Sequence, residues 1–565
     1  MKAILAAALS ATCLLSVRAE PVAARPAAPE AGRPSTSPGR TADGQASIRP
    51  EASTPPRLIV ALSVDQFSAD LFAEYRNRFT GGFARLLDGA VFPSGYQSHA
   101  ATETCPGHST LMTGMRPAHT GIVLNTWYDW RTPLADKVVY CVEDEANPAN
   151  THDRYTVAPT HLLVPTLGER MKAAFPGARD VAVSGKDRAA VTMGGGKADE
   201  TWWWDGRGFA SYPGRTMPPA VTRANAVSAA RVAEAQPALD LPAWCGSRDR
   251  AIATAGPTVG AGRFARAAGN ASAFRASPEL DGATLAVAAA LVGDLRLGRG
   301  TAPDVLNVSL SATDYVGHAY GTQGAEMCTQ LASLDRDLGD FFRRLDASGV
   351  DYALMLSADH GGIDLPERGD EQATTSRRRA FDAAAVLARA TTAAGVPAGA
   401  IRFQESNVYV DPALSPARRA RAIAAARTAI AAEPDVEAVF TADEIERSPE
   451  PAGPPETWPL VMRAKASFYR PRSGDLIVAF RPRVTEGAPT AGHVAGHGSF
   501  WDYDRRVPIL FWRKGMVPFE QPLSVETVDI APTLAGLMRL PLTGPRMDGR
   551  CLDLDAGPGT TCPIP

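Results

Sequence analysis

Short runs of apolar residues, each bounded by polar residues, recur along the chain from about residue 56 and predict buried β-strands. In other segments, such as 326–346, apolar residues recur every three or four positions, which predicts amphipathic α-helices. Strands that alternate with helices are typical of an α/β fold, with a mostly parallel sheet sandwiched between helices. The strand candidates are RLIVALSV (57–64), DVAVSG (180–185), VLNVSLSA (305–312), YALMLSA (352–358) and VPILFW (507–512).

Two long stretches, at about 126–275 and 365–490, interrupt this alternation. The first contains three consecutive tryptophans, 202–204, which predict a hydrophobic strand; a wall over an active site is the alternative. The second contains the Ala- and Arg-rich segment 415–434, which predicts a surface helix. Because candidate strands lie on both sides of each stretch, we interpret both stretches as insertions into one domain that spans 56–565.

The N-terminus has the features of a secretory signal peptide. Lys2 precedes an apolar run that leads to the small-residue site VRA, so we predict that residues 1–19 are removed. The apolar run is too short to span a membrane. Residues 20–55 are rich in Pro, Ala and Gly without apolar periodicity, and they predict a disordered linker. We therefore expect a periplasmic or secreted protein without a membrane span.

Charge and cysteine content narrow the classes of function. The formal net charge is −3, which gives no support for a nucleic-acid partner. Removal of Cys13 with the signal peptide leaves six of the seven cysteines, an even number that favours disulfides in an exported protein. Cys551 and Cys562 form the most local candidate pair. Cys105, in the segment TETCPGHST (102–110), is therefore expected to be oxidised rather than to act as a free thiol nucleophile.

Carboxylates and imidazoles follow the candidate strands at the positions where parallel strands end. Ligands bind at this edge in open α/β sheets, so we expect these side chains to form a metal site. Asp314 and His318 are four residues apart and share one face of a helical turn. Mixed carboxylate and histidine ligation favours zinc over calcium or magnesium, and two divalent ions about 4 Å apart suit displacement at phosphorus. The candidate ligands are Asp65, Asp314, His318, Asp359, His360 and either His493 or His497.

Eight motifs along 57–549 resemble, in sequence and in order, those of the alkaline phosphatase superfamily. Within it the chain is most similar to the exported bacterial alkaline phosphatases that use a threonine nucleophile, which are relatives of the type I phosphodiesterase/nucleotide pyrophosphatases. The signal is specific, because chance does not arrange eight motifs in one order. The motifs are VDQ, TCPGHSTLMTG, GIVLNTWYD, SGKDR, SATDYVGHAYG, ADHGG, HGSFWDYDRRVPILFW and TVDIAPTLAGLMRLPLTGPRMDG.

The resemblance implies two zinc ions held by the candidate ligands. The HGS motif before the last strand favours His497 over His493 as the imidazole from that segment. The implied ligands are Asp314, His318 and His497 for one ion, and Asp65, Asp359, His360 and the nucleophile for the other.

The resemblance also assigns the nucleophile. In the family it precedes an x-Pro-Gly-His segment, so Thr104 is the nucleophile and Cys105 is the variable residue. A metal ion lowers the pKa of such a hydroxyl, and the segment from His108 onward is expected to open a helix whose N-terminal amides favour an anion. The sulfatase motif of the superfamily fails, because His108 stands where an arginine is required.

Three further residues bear on the substrate. Asn125 matches the phosphate-contacting asparagine of the family, and Lys186 and Arg188 match the pair that monoesterases use on non-bridging oxygens. A monoester dianion carries an extra charged oxygen that two cations complement. The resemblance thus implies an alkaline phosphatase that hydrolyses small-molecule phosphate monoesters through a phosphothreonine intermediate. We expect a monomer with an alkaline pH optimum.

Two alternatives remain at this point. A phosphodiesterase or nucleotide pyrophosphatase has the same metals and the same nucleophile, and the pair Lys186 and Arg188 argues against it. A metal- or phosphate-binding protein without turnover has the same scaffold, and the intact set of ligands with Thr104 argues against that.

Overall fold

The structure, a computed structural model, describes residues 54–371, 376–485 and 487–562, in which strands and helices alternate. The predicted signal peptide, and the predicted linker up to residue 53, lie outside the described residues. The strands are β1 (Leu58–Val64), β2 (Ala90–Tyr96), β3 (Thr126–Tyr128), β4 (Val138–Tyr140), β5 (Asp180–Ser184), β6 (Glu200–Trp204), β7 (Phe209–Ala210), β8 (Ile252–Ala253), β9 (Thr258–Val259), β10 (Asp304–Leu310), β11 (Tyr352–Ser357), β12 (Arg377–Arg378), β13 (Ile401–Gln404), β14 (Asn407–Val410), β15 (Val436–Thr441), β16 (Leu476–Phe480), β17 (Val484–Thr485), β18 (Arg506–Arg513), β19 (Phe519–Glu520) and β20 (Val525–Glu526). The α-helices are α1 (Ala69–Tyr75), α2 (Gly82–Leu87), α3 (Thr104–Thr113), α4 (Pro117–Thr120), α5 (Leu167–Ala174), α6 (Asp187–Gly194), α7 (Pro219–Ala233), α8 (Ala271–Arg275), α9 (Pro278–Asp294), α10 (Ala312–Tyr320), α11 (Ala325–Ser348), α12 (Ala383–Ala394), α13 (Pro416–Ala431), α14 (Ala442–Arg447), α15 (Leu460–Ser467), α16 (Asp502–Arg505) and α17 (Ile530–Leu537). Short 3-10 helices cover Arg76–Arg78, Ala243–Arg248, Pro366–Glu371, Pro455–Thr457 and Thr527–Asp529.

The centre of the fold is a ten-stranded sheet in the order β19-β2-β18-β11-β1-β10-β5-β6-β7, with β20 paired to β2. Strands β11, β1, β10, β5 and β6 are parallel, whereas β18 runs antiparallel to both of its neighbours. Every residue of β1, β10 and β11 is buried, as expected for parallel strands covered on both faces. The α/β fold class, the five strand candidates and the helix predicted at 326–346 are all confirmed.

Alternate residues of β1 contribute to hydrophobic cores on opposite faces of the sheet. Leu58, Val60 and Leu62 pack with residues of α1, α9 and α11 on one face. Ile59 and Ala61 pack with residues of α3, α5 and α17 on the other face. The period of two along a strand therefore joins two layers of helices through a single sheet.

The tryptophan run 202–204 forms most of β6 in the central sheet, which confirms the predicted strand. Trp202 and Trp204 pack into the core on one face, and Trp203 packs on the other. Because β5, β6 and β7 all belong to the central sheet, the stretch at 126–275 contributes to that sheet, and only the parts on either side of these strands lie outside it.

The stretch at 365–490 carries a second sheet of four antiparallel strands in the order β13-β14-β16-β15, which we call the accessory sheet. Helices α12 and α13 share a hydrophobic core with one face of this sheet. The surface helix predicted at 415–434 is α13, whose buried stripe consists of Ala422, Ala426 and Ile430. All described residues belong to one compact unit.

Disulfides link the described cysteines as Cys105–Cys141, Cys245–Cys328 and Cys551–Cys562. The local pair predicted near the C-terminus and the oxidised state predicted for Cys105 are both confirmed. Among the described residues, every helix is too short or too polar to span a lipid bilayer.

Candidate active site

Four side chains of the predicted metal site lie where three adjacent parallel strands end. Asp65 follows β1 directly, Asp314 lies in the first turn of α10 after β10, and Asp359 and His360 follow β11. Because β1 lies between β10 and β11, the carboxyl ends of these strands bring the four side chains together. All four are buried.

His318 and His497 both face the carboxylate of Asp314. Their Nε2 atoms lie 3.3 Å and 3.4 Å from Asp314 Oδ1. Asp314 and His318 share one face of α10, as their spacing predicts. The alternative histidine, His493, is exposed and stacks on His318, with ring centroids 4.5 Å apart.

His360 connects the two sets of predicted ligands. Its Nε2 atom lies 3.3 Å from Asp359 Oδ2 and 3.5 Å from Asp65 Oδ1. Its ring stacks on that of His497, with centroids 3.7 Å apart. Asp314, His360 and His497 consequently offer ligand atoms within 4.8 Å of one another. The predicted ligands therefore form one continuous cluster.

A backbone carbonyl orients each of the three histidines. A carbonyl oxygen only accepts hydrogen bonds, so the nearby Nδ1 carries a proton and Nε2 is the atom that faces the carboxylates and is left to bind a metal ion. Metal-ligating histidines are held in this way. The bonds run from Nδ1 of His318 to Ala495 O (2.7 Å), of His360 to Gly361 O (2.8 Å) and of His497 to Thr102 O (2.9 Å).

The cluster also contains buried ligand atoms that lack a hydrogen bond, namely Asp65 Oδ1, Asp314 Oδ1, Asp359 Oδ2 and His360 Nε2. Buried carboxylate oxygens and an imidazole lone pair are costly unless a donor or a cation satisfies them. The residues present therefore fit divalent metal ions.

His108 lies beside the second group of ligands, but its own nitrogen atoms are occupied. The ligand atoms of Asp65, His108 and Asp359 lie within 4.8 Å of one another. His108 Nε2 is hydrogen-bonded to Ser309 Oγ at 2.9 Å, and Nδ1 lies 2.9 Å from Thr104 O and 3.0 Å from Asp359 Oδ2. His108 therefore ties the first turn of α3 to β10. Its spacing of four residues from Thr104, on one helix face, is the sequence signal for this role.

Thr104 is the first residue of α3, four residues before the predicted helix start at His108. Its hydroxyl lies at the helix N-terminus, where backbone N–H groups favour an anion. Lys186 Nζ and Arg188 Nη2 donate to Thr104 Oγ1 over 3.3 Å and 3.4 Å. Because Lys186 is the N-cap of α6 and Arg188 lies in its first turn, the start of α6 aims both cations at this hydroxyl.

Lys186 lies between carboxylates that belong to the two predicted ion sites. Its Nζ atom is 2.7 Å from Asp65 Oδ2 and 2.6 Å from Asp314 Oδ2. Burial opposes the charge, but Asp314 and Asp65 raise the pKa of Lys186 above its ordinary value, so the ammonium stays protonated. Burial likewise opposes the charge of Asp314, yet Lys186 and His318 hold the pKa of that carboxyl well below its usual range. A fixed positive charge therefore stands beside the Thr104 hydroxyl.

Asn125 is held on three sides next to the same helix. Its Oδ1 accepts a hydrogen bond from Cys105 N at 2.9 Å, and its backbone N–H donates to Glu103 Oε2 at 2.8 Å. Its backbone oxygen accepts from Cys141 N at 2.9 Å, and the disulfide Cys105–Cys141 joins the two segments. Because Oδ1 is occupied, the NH₂ end of the amide is the part that can bind an anion.

Comparison with known proteins identifies the family of the chain. Residues 59–498 match the family model described as type I phosphodiesterase / nucleotide pyrophosphatase. The chain belongs to the type I phosphodiesterase/nucleotide pyrophosphatase family. Alkaline phosphatase PhoK of Sphingomonas sp is 52% identical over 90% of this chain and 93% of the relative.

The chain also matches solved structures, among them that of wild-type alkaline phosphatase PafA. It superposes with a TM-score of 0.77 at 25% identity, over 89% of this chain and 99% of that chain. A second PafA structure carries substitutions of a threonine, an asparagine, a lysine and an arginine. It superposes with a TM-score of 0.76 at 26% identity, over 87% of this chain and 97% of that chain. The predicted superfamily fold is therefore confirmed.

Proposed function

We propose that this protein is an alkaline phosphatase that hydrolyses phosphate monoesters, with Thr104 as its nucleophile. The observation that carries the proposal is the Thr104 hydroxyl at a helix N-terminus, 3.3 Å from Lys186 Nζ and 3.4 Å from Arg188 Nη2. A hydroxyl beside two cations suits attack on a dianionic phosphoryl group. The 52% identity to alkaline phosphatase PhoK supports the same activity.

The substituted PafA structure supports the choice of residues. In that protein the substituted threonine and asparagine are 21 positions apart, and the lysine and arginine are two apart. In this chain Thr104 and Asn125 are also 21 positions apart, and Lys186 and Arg188 are two apart. The shared spacing within each of the two pairs favours a common set of groups around the phosphate.

These residues divide the reaction into two displacements. The Thr104 oxygen forms a bond to phosphorus while the bond from phosphorus to the ester oxygen breaks, which gives phosphothreonine and an alcohol. Lys186, Arg188 and the Asn125 amide hold the non-bridging oxygens and neutralise their charge. Water then attacks phosphorus, and its oxygen replaces that of Thr104, so that phosphate leaves and the hydroxyl is restored.

We assign two zinc ions to the ligand cluster. When bound, zinc supplies Lewis acidity to the attacking and the leaving oxygen. The unsatisfied buried oxygens and the three oriented imidazoles support the assignment, because mixed carboxylate and histidine ligation suits zinc. The proposed ligands are Asp314, His318 and His497 for one ion, and Asp65, Asp359, His360 and Thr104 for the other.

Removal of metal by a chelator is expected to abolish turnover and to lower the Tm. Without metal ions, Asp65 and Asp314 share the single ammonium of Lys186 and their Oδ1 atoms lack a hydrogen bond, whereas a metal ion present at 1,000 times its Kd stabilises the native state by about 4 kcal/mol. The measurement is the Tm and the metal content before chelation, after chelation and after zinc is restored, with two zinc ions expected per chain. Magnesium at the same concentration is the control and should restore less. A chelated protein that is free of metal and keeps its Tm contradicts the assignment.

Phosphodiesterases of the same family are the main alternative. A diester has a second ester group in place of one charged oxygen, so it gains little from the pair of cations Lys186 and Arg188. The two cations beside Thr104 therefore favour a monoester.

The test of the proposed function is the ratio of kcat/KM for an aryl phosphate monoester to that for the matching methyl aryl diester. The zinc-loaded protein is expected to prefer the monoester by more than about 10²-fold, because removal of even one stabilising donor typically costs that much. A preference for the diester would mean that the protein is a phosphodiesterase. Turnover of neither ester would favour the alternative of a metal- or phosphate-binding protein. The same assay on Thr104→Ala excludes activity from a contaminating phosphatase.

We also propose that the protein is exported to the periplasm or secreted. Disulfides form and persist in oxidising compartments, and three of them lie among the described residues. The N-terminal pattern read as a signal peptide supports the same location.

A further inference from the structure

A turn of the accessory sheet reaches the proposed site. Strands β13 and β14 are joined by two residues, Glu405 and Ser406. Glu405 has a φ of 53°, in the left-handed region that glycine and asparagine adopt more readily. Strained residues of this kind persist where the surroundings demand them, often at functional sites. Stability of the hairpin alone therefore does not explain a glutamate here.

The Glu405 side chain leaves its own sheet and binds the segment that carries Asn125. Glu405 Oε1 accepts hydrogen bonds from Thr126 N at 3.1 Å and from Thr126 Oγ1 at 2.6 Å. Gln404 Nε2 donates to the same Thr126 hydroxyl at 2.6 Å. Two neighbouring residues of the hairpin thus hold the residue directly after Asn125.

Glu103 connects the same hairpin to Asn125 from the other side. Its Oε2 atom accepts the backbone N–H of Asn125 at 2.8 Å, and its carboxyl lies beside that of Glu405. Both carboxyls line one cavity between the accessory sheet and the central part of the fold. Because Glu103 directly precedes Thr104, one contact network joins the hairpin, the phosphate-binding amide and the start of the helix that carries the nucleophile.

We propose that Glu405 is a positioning residue that fixes the Asn125 amide against the phosphate, so that the accessory sheet acts on catalysis through the β13–β14 turn. The inference rests on the proposed role of Asn125. Asn125 Oδ1 accepts a hydrogen bond from Cys105 N, so a shift of the backbone at Thr126 turns the NH₂ end of the Asn125 amide away from a bound phosphate. A misplacement of about 1 Å can cost about 10²-fold in rate.

The variant Glu405→Gly removes the side chain without adding strain to the backbone of the turn. Glycine adopts a φ of 53° readily, so the hairpin is expected to fold as well as before, with an unchanged or higher Tm. We expect kcat/KM for an aryl monoester to fall roughly 10- to 30-fold, and the Ki of inorganic phosphate to rise by a similar factor. Glu405→Gln keeps an acceptor for Thr126 and should recover most of both losses. Ser406→Gly removes a side chain from the same turn and should leave Tm, kcat/KM and Ki unchanged.

A double variant tests whether Glu405 acts through Asn125. In the Asn125→Ala background, Glu405→Gly should lower kcat/KM by less than about twofold, because residues in one network are not additive. An equal loss in both backgrounds, or wild-type kcat/KM and Ki in Glu405→Gly, overturns the proposal. If the wild-type protein hydrolyses neither ester, the proposed function fails. The calorimetric Kd of inorganic phosphate for the same proteins then tests the positioning role by the same comparison.

Discussion

Replacement of Thr104 by alanine is expected to lower kcat/KM for an aryl phosphate monoester by at least about 10³-fold, because it removes the attacking oxygen. The Tm should change little, since the lost groups are a hydroxyl and a methyl at a helix terminus. Thr104→Ser keeps the hydroxyl and should retain most of the activity. Acid quenching during turnover, followed by mass spectrometry, should find one phosphoryl group on Thr104 in the wild-type protein and none in the alanine variant.

Thr113→Val is the matched control for this prediction. Thr113 is the last residue of α3, and its hydroxyl donates to Ser109 O at 2.6 Å and accepts from Met115 N at 3.1 Å. Loss of both bonds, which leaves the buried Met115 N–H without this acceptor, should lower the free energy of unfolding by about 2 kcal/mol while leaving kcat/KM within about threefold. Near-normal turnover by Thr104→Ala, or a phosphoryl group on another residue, contradicts the nucleophile assignment.

The parts of the fold that could be predicted are those in which local pattern and topology agree. A parallel strand buried on both faces is a continuous apolar run, and its carboxyl end is where a polar residue such as Asp65 first follows. The spacing of Asp314 and His318 similarly places both on one face of a single helix, α10. No longer-range information is needed for either inference, so the sequence alone could place Asp65, Asp314 and His318 at the carboxyl end of the sheet.

Strands that break the apolar pattern are harder to predict. Strand β2 is not among the candidates, because Pro93, Ser94 and Gly95 interrupt its apolar run. Its pairing with β18 shifts register between Val507 and Ile509. An apolar run also does not indicate whether a strand lies parallel or antiparallel to its neighbours. The antiparallel orientation of β18 is therefore evident only in the assembled sheet.

The supporting contacts of the site are not predictable from sequence because their partners are distant. Glu405 contacts Thr126 across 279 positions, and a glutamate in a hairpin turn follows no local pattern. The observed set of three disulfides, which pairs Cys105 with Cys141, is one of about 15 possible pairings of six cysteines. The spacing of His108 from Thr104 indicates their contact within α3, but the hydrogen bond from His108 to Ser309 joins residues 201 positions apart and no local pattern indicates it.

The double variant Lys186→Ala/Arg188→Ala is expected to lose about 10³-fold or more in kcat/KM for the monoester, whereas the diester should change by less than about tenfold. Each cation lies within 3.4 Å of the Thr104 hydroxyl, close to where the proposed mechanism puts the charged oxygens of the phosphoryl group. Arg188→Ala alone should cost the monoester roughly 10²-fold. The measurement is kcat/KM for both esters with each single variant and with the double variant. Arg207→Ala, at an exposed arginine, is the control.

Lys186 also affects stability, and the experiment must separate this effect from its effect on kcat/KM. Its ammonium pairs with Asp65 and Asp314, so Lys186→Ala leaves two buried carboxylates without this cation. Loss of one partner from a buried ion pair typically costs about 3–5 kcal/mol. The Tm of the variant should therefore fall more in the metal-free protein than in the zinc-loaded protein, where ions can compensate the carboxylates. Kinetic comparison belongs to the zinc-loaded form, with its Tm measured in parallel.

The loss of kcat/KM for the monoester relative to that for the diester is more informative than either loss alone. Equal losses for monoester and diester mean that Lys186 and Arg188 act on a group common to both esters, or on Thr104 itself, and that the substrate preference arises elsewhere. A loss confined to the monoester means that the two cations recognise the third charged oxygen, which a diester lacks. In that case the metal ions and the nucleophile supply chemistry that suits either ester. The N-cap and first turn of α6, which carry Lys186 and Arg188, then select the monoester over the diester.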